Sequence, residues 1–82
     1  MNVFEVVKKA ICRIQPGIDE NRITPEALLK EDLEIDSLSK VELALSLEDE
    51  LDINIQDEKL GDIRTVAQVV SLIESKLKVH NA

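Results

Sequence analysis

The stretch Asp36-Ser37-Leu38-Ser39-Lys40-Val41-Glu42-Leu43-Ala44-Leu45-Ser46-Leu47-Glu48-Asp49-Glu50-Leu51 reads as a helix that begins where an acidic, irregular segment ends. Its apolar residues recur at helical spacing, and Asp and Ser are common at helix starts, so a helix is predicted from about Ser37 to Leu51. On a wheel of ~3.6 residues per turn these apolar residues fall into two stripes. Leu43, Leu47 and Leu51, with Ala44 beside them, share one face and are assigned to the interior. Leu38, Val41 and Leu45 share nearly the opposite face, among Glu42, Glu48, Asp49 and Asp52. Both stripes cannot reach the same core. The second is a docking surface, where apolar contact supplies affinity and the acids steer a basic partner, or else Leu38 and Val41 tuck under the preceding connection.

Ser37 stands at the end of that second stripe, in the first turn of the predicted helix. The first N–H groups of a helix lack intrahelical partners and attract anions. A serine hydroxyl left unbonded by the backbone there is well placed to carry a phosphate-linked group. Its plainer role is to cap the helix.

Outward from this helix, Val3, Val7, Ile11 and Ile14 recur at helical spacing until Pro16-Gly17, which predicts a first helix over residues 2–15. A long connection follows, with Ile18, Ile23, Leu28, Leu29 and Leu33 as apolar anchors. Within it, Thr24-Pro25 resembles an N-cap followed by proline at the first helical position, so a short helical turn is predicted near residues 25–29. Asp52-Ile53-Asn54-Ile55 alternates but has no partner strand and is read as a loop. Residues 56–61 hold one short third helix, and Thr65-Val66-Ala67-Gln68 is a capping-box pattern that opens a last helix to about residue 79. The expected fold is all-α, a small four-helix bundle with a long first connection.

At 82 residues the chain is read as one domain, residues 1–82, able to bury ~60–65% of its unfolded surface. The lone Cys12 forms no internal bridge and is read as a filler of the apolar face, which suits a reducing compartment. No apolar run near Met1 resembles a signal peptide or a membrane span, so a soluble, cytoplasmic protein with no membrane insertion is expected. A net charge of −7 and a single aromatic residue, Phe4, argue against a nucleic-acid partner. From Glu31 to Glu58 there are eleven acids against one base, Lys40, whereas the rest of the chain holds six acids and nine bases. An acidic middle of this kind points to a partner with a basic patch.

Other chemistry is poorly served. Catalysis by Ser37 needs a base, and the single histidine, His80, lies two residues from the C-terminus with no G-x-S-x-G elbow in the chain. The alternation from Asp52 to Asp57 lacks the glycine and the closing glutamate of a calcium loop, and one Cys with one His excludes a zinc site of that type. The chain is therefore read as a non-enzyme without a metal centre.

The segment Glu31-Asp32-Leu33-Glu34-Ile35-Asp36-Ser37-Leu38, then Val41-Glu42-Leu43, Leu47-Glu48-Asp49-Glu50-Leu51, Ile55-Gln56-Asp57-Glu58 and Ile63-Arg64-Thr65-Val66, resembles the acyl carrier protein family, which bears phosphopantetheine in fatty-acid and polyketide synthesis. The resemblance implies that a phosphopantetheinyl transferase joins 4'-phosphopantetheine to Ser37, leaving a thiol that carries acyl chains as thioesters. It implies that Asp36 helps hold the transferase's magnesium. Leu38, Val41, Glu42, Leu45, Glu48 and Asp49 would meet basic partner enzymes, in agreement with the second stripe. A short or medium acyl chain is expected inside the bundle, lined by Leu29, Leu47, Ile55, Leu60, Ile63 and Leu72, with entry along the third helix. A monomer is expected. Aminoacyl or D-alanyl carriers, and an unmodified helical adaptor, are the alternatives.

Three places in the chain depart from the family's usual pattern. Glu34-Ile35 replaces small residues before the motif, so the turn into the helix must be built differently. Ser39-Lys40 removes an acid and adds a base, and Gln56 stands where proline is common. The changes fit a specialised carrier.

Overall fold

The computed structural model describes residues 2–55 and 60–81, with side chains as far as residue 77. Among them are three α-helices, α1 (Val3–Ile14), α2 (Ser37–Leu51) and α3 (Val66–Asn81), and one 3-10 turn, Glu20–Arg22. The third helix expected over residues 56–61 falls largely on residues 56–59, outside the described residues.

Each helix start follows from a side chain that satisfies an orphan N–H. Asn2 Oδ1 accepts from the Glu5 N–H at 3.2 Å and opens α1. Pro16 and Gly17 close it, and Gly17 takes φ 96°, a conformation that glycine adopts without a Cβ clash. At α3 the capping box is complete: Thr65 Oγ1 accepts from the Gln68 N–H at 3.2 Å, and Gln68 Oε1 accepts from the Thr65 N–H at 3.1 Å. The same Gln68 oxygen also accepts from the Arg64 N–H at 2.7 Å.

Helix α1 packs on both α2 and α3. The core beneath is formed by Val3, Val7, Ala10 and Ile11 of α1, Leu43, Ala44 and Leu47 of α2, and Val66, Val69 and Ile73 of α3. The long connection is part of this core, since Ile23, Ala27, Leu29, Leu33 and Ile35 are also buried. Its backbone is pinned to the start of α3: the Leu29 N–H donates to the Arg64 carbonyl at 2.8 Å, and the Val66 N–H donates to the Ala27 carbonyl at 3.1 Å. This pairing explains a departure from expectation. The helical turn predicted near residues 25–29 is limited to the bond from the Ala27 N–H to the Thr24 carbonyl, because the next backbone groups are engaged with α3.

Candidate functional site

The approach to α2 is set by a left-handed residue. Glu34 takes φ 57°, where a side chain with a Cβ is strained by ~1–2 kcal/mol. The Gln15 side chain holds it, its Nε2 donating to the Leu33 carbonyl at 3.1 Å and to the Glu34 carbonyl at 2.8 Å. The Ile35 N–H then donates to the Leu29 carbonyl at 2.7 Å, and Ile35 is fully buried. The turn that small residues usually make is therefore built here by an amide from the end of α1.

Asp36 follows with extended backbone and serves as the N-cap of α2, its Oδ1 accepting from the Ser39 N–H at 2.9 Å. The Asp36 carboxyl is held below its ordinary range, first by the Ser39 N–H and next by the Ser39 side chain. The folded chain thus binds this proton less tightly than the unfolded one. The cap is complete above the ordinary carboxylate pKa and is lost as pH falls through the depressed value.

The capping role therefore belongs to Asp36, and Ser37 is the first residue of α2, exposed. Its side chain makes no hydrogen bond among the described residues. Beside it lies a cleft of about 160 Å³ lined by Leu29, Lys30, Ile35, Lys40, Ile63 and Arg64, among others. The bases Lys30 and Arg64, the carboxylates of Glu31 and Asp36 and apolar side chains meet there next to a free hydroxyl at the start of α2, where unpaired helix N–H groups suit a phosphate ester that continues into a less polar arm.

The family described as "Phosphopantetheine attachment site" matches residues 5–73. The chain is a member of the acyl carrier protein family. It is 43% identical over 75 residues to the acyl carrier protein of Helicobacter hepaticus, covering 92% of this chain and 97% of the relative. It is similar in fold to the crystal structure of the acyl carrier protein of Thermotoga maritima, with a TM-score of 0.79 and 29% identity, over 95% of this chain and 93% of that one. Carriers of this family bear phosphopantetheine, are typical of fatty-acid biosynthesis, and are not themselves enzymes. Among the described residues no helix of this carrier is long and apolar enough to cross a membrane.

On the outward face of α2 the carrier leaves Leu38 71%, Val41 42% and Leu45 58% exposed, so Leu38 and Val41 do not tuck under the connection. Glu42 and Asp49 are exposed near them. Glu48, read from the sequence as a third docking acid, is half-buried, and its Oε2 accepts from the Ile55 N–H at 2.7 Å. That amide follows the left-handed Asp52 that ends α2, and Glu48 satisfies it. Its carboxylate is engaged in the fold.

The six residues expected around an acyl chain are divided. Leu29, Leu47, Ile55 and Ile63 are buried, and Leu60 and Leu72 pack partly buried against the core. Leu29 and Ile63 line the cleft beside Ser37, Leu60 lines a neighbouring one of about 180 Å³, and Ile63 and Leu72 line a groove on the flank of α3. Leu47 and Ile55 line none of these three.

Sequence reasoning missed Lys40. Its Nζ donates to the Leu60 carbonyl at 3.0 Å and to the Ile63 carbonyl at 2.9 Å, joining α2 to a turn twenty or more residues later. The signal available was its isolation, a single base in the acidic middle of the chain.

Proposed function

We propose that this protein is an acyl carrier domain spanning residues 1–82 that carries acyl intermediates as thioesters on 4'-phosphopantetheine joined to Ser37. The observation that supports this reading most directly is the division of labour at the start of α2. Asp36 takes the cap, and the Ser37 hydroxyl stays exposed and unbonded among the described residues. The prosthetic group supplies the thiol chemistry, and the protein supplies its position.

In this reading the free first-turn N–H groups of α2, with Lys30 and Arg64 at the adjoining cleft, favour the negative phosphate at Ser37. Asp36 uses one oxygen for the cap and offers the other to the transferase's magnesium. Leu38, Val41 and Leu45 form the apolar contact for the phosphopantetheinyl transferase and for acyl-transfer and synthase enzymes. Glu42 and Asp49 steer basic patches toward it. The carrier acts as a cytoplasmic monomer that is a substrate of those enzymes in fatty-acid, lipid or polyketide synthesis.

Intact mass after exposure to a phosphopantetheinyl transferase and coenzyme A tests the attachment. The wild-type protein gains the prosthetic group, and Ser37→Ala gains none while keeping its helical content, because Asp36 still caps α2. An unchanged wild-type mass would leave the protein an unmodified helical adaptor. A mass gain in the Ala variant would move the site elsewhere.

A further inference from the structure

Lys40 is the single base between Glu31 and Glu58, yet among the described residues no carboxylate lies within ion-pair distance of it. Its ammonium is spent on two backbone carbonyls, those of Leu60 and Ile63, at 3.0 and 2.9 Å. The Leu60 carbonyl also accepts from the Ile63 N–H at 3.2 Å, so one bond closes the turn and the lysine ties the closed turn to α2. Ser37 lies one helical turn before Lys40. Two small clefts open there, and Ser37, Lys40 and Gly61 line both of them. Behind this turn Ile63 enters the buried core with Leu29, Ile35 and Leu47.

We propose that Lys40 is a latch that decides whether cargo carried at Ser37 enters the apolar interior. The proposal rests on the carrier reading above and adds the residue that regulates access. An apolar chain that starts at Ser37 and goes inward passes between α2 and the turn of residues 60–63. The two hydrogen bonds of Lys40 span that gap. A chain long enough to bury many methylene groups offsets the loss of these bonds, and a short one does not. Lys40 thereby sets a lower length limit for sheltered cargo, as a positioning residue that touches neither the thioester nor the phosphate.

Lys40→Met keeps most of the apolar stem and removes the donors. In the unmodified protein, amide exchange at Ile63 is expected to be roughly tenfold faster in Lys40→Met than in wild type, with the amides of Ile11 and Ile73 unchanged. Lys40→Arg, which retains donors, stays nearer wild type. After loading with an eight-carbon acyl chain, cleavage of the thioester by hydroxylamine is expected to be slower in Lys40→Met, by up to about tenfold, because the unlatched interior holds the chain more of the time. Equal Ile63 exchange in the two unmodified proteins would overturn the latch itself, whatever Ser37 carries. Faster exchange with equal thioester cleavage would overturn its control of cargo. Failure of Ser37 to take the prosthetic group would overturn the carrier reading and the control of cargo with it, while leaving the exchange comparison to judge the bonds.

Discussion

Helices α1 and α2 pack on one another and feed the same core, yet they distribute their apolar residues differently. In α1 the buried positions Val3, Val7, Ala10 and Ile11 form one face, and the partly buried Phe4, Val6, Cys12 and Ile14 pack against the same core. In α2 the buried Leu43, Ala44 and Leu47 account for one face only, and Leu38, Val41 and Leu45 are presented to solvent on the other. A helix that only builds a fold has no physical use for a second apolar stripe, since exposed leucines forgo the burial that stabilises their counterparts. The contrast separates the buried apolar face that holds the molecule together from a second apolar stripe that faces solvent, the contact surface proposed above.

The contrast is sharpest in stability. Leu47→Ala should cost about 2–5 kcal/mol, because Leu47 is almost wholly buried and leaves a cavity. Leu45→Ala, two positions away on the same helix, should stay within about 0.5 kcal/mol of wild type. Urea unfolding followed by circular dichroism measures both. Comparable losses would mean that the outward stripe is structural after all.

Charge reversal examines the rim of the outward stripe. Glu42→Lys with Asp49→Lys should slow association with a phosphopantetheinyl transferase by roughly tenfold at low salt, and far less at high salt, without lowering stability. Glu48→Lys should behave otherwise, costing about 1–3 kcal/mol because the Ile55 N–H loses its acceptor. Stopped-flow binding at two ionic strengths together with melting curves distinguishes steering from clamping. An association rate indifferent to salt would remove the acids from the docking role.

The smallest effect concerns the turn that delivers the chain to α2. Glu34→Gly should raise stability by about 0.5–1 kcal/mol, since glycine adopts φ 57° without strain and gives back part of the gain as unfolded-state entropy. Gln15→Ala should lower it by about 1 kcal/mol, as two carbonyls lose a donor. Chemical denaturation of the two variants reads both signs. A destabilised Glu34→Gly would show that the Glu34 side chain does something beyond filling its place.

Local features carried far in this chain. The limits of α2 were readable from Asp36-Ser37 and from the spacing of its leucines, and the capping box of α3 was readable from Thr65 and Gln68. In each case the interacting groups lie three or four residues apart, so sequence order is nearly spatial order. The two stripes of α2 were readable for the same reason, and so was the position of Ser37 at the helix start.

What the sequence by itself determined, then, was the three described α-helices, the inward and outward faces of α2, and the serine at its first turn. Tertiary structure decided which polar side chains belong to the fold. Gln15 supports the strained Glu34, Glu48 holds Ile55, and Lys40 ties down the turn at residues 60–63, through bonds that span from seven to twenty-three residues. It also decided that the segment after Thr24-Pro25 pairs with the start of α3 instead of coiling. The physical reason is common to all of these. A backbone carbonyl or N–H left unpaired near the core must find a partner, and which distant side chain satisfies it depends on where the packed helices bring the chain.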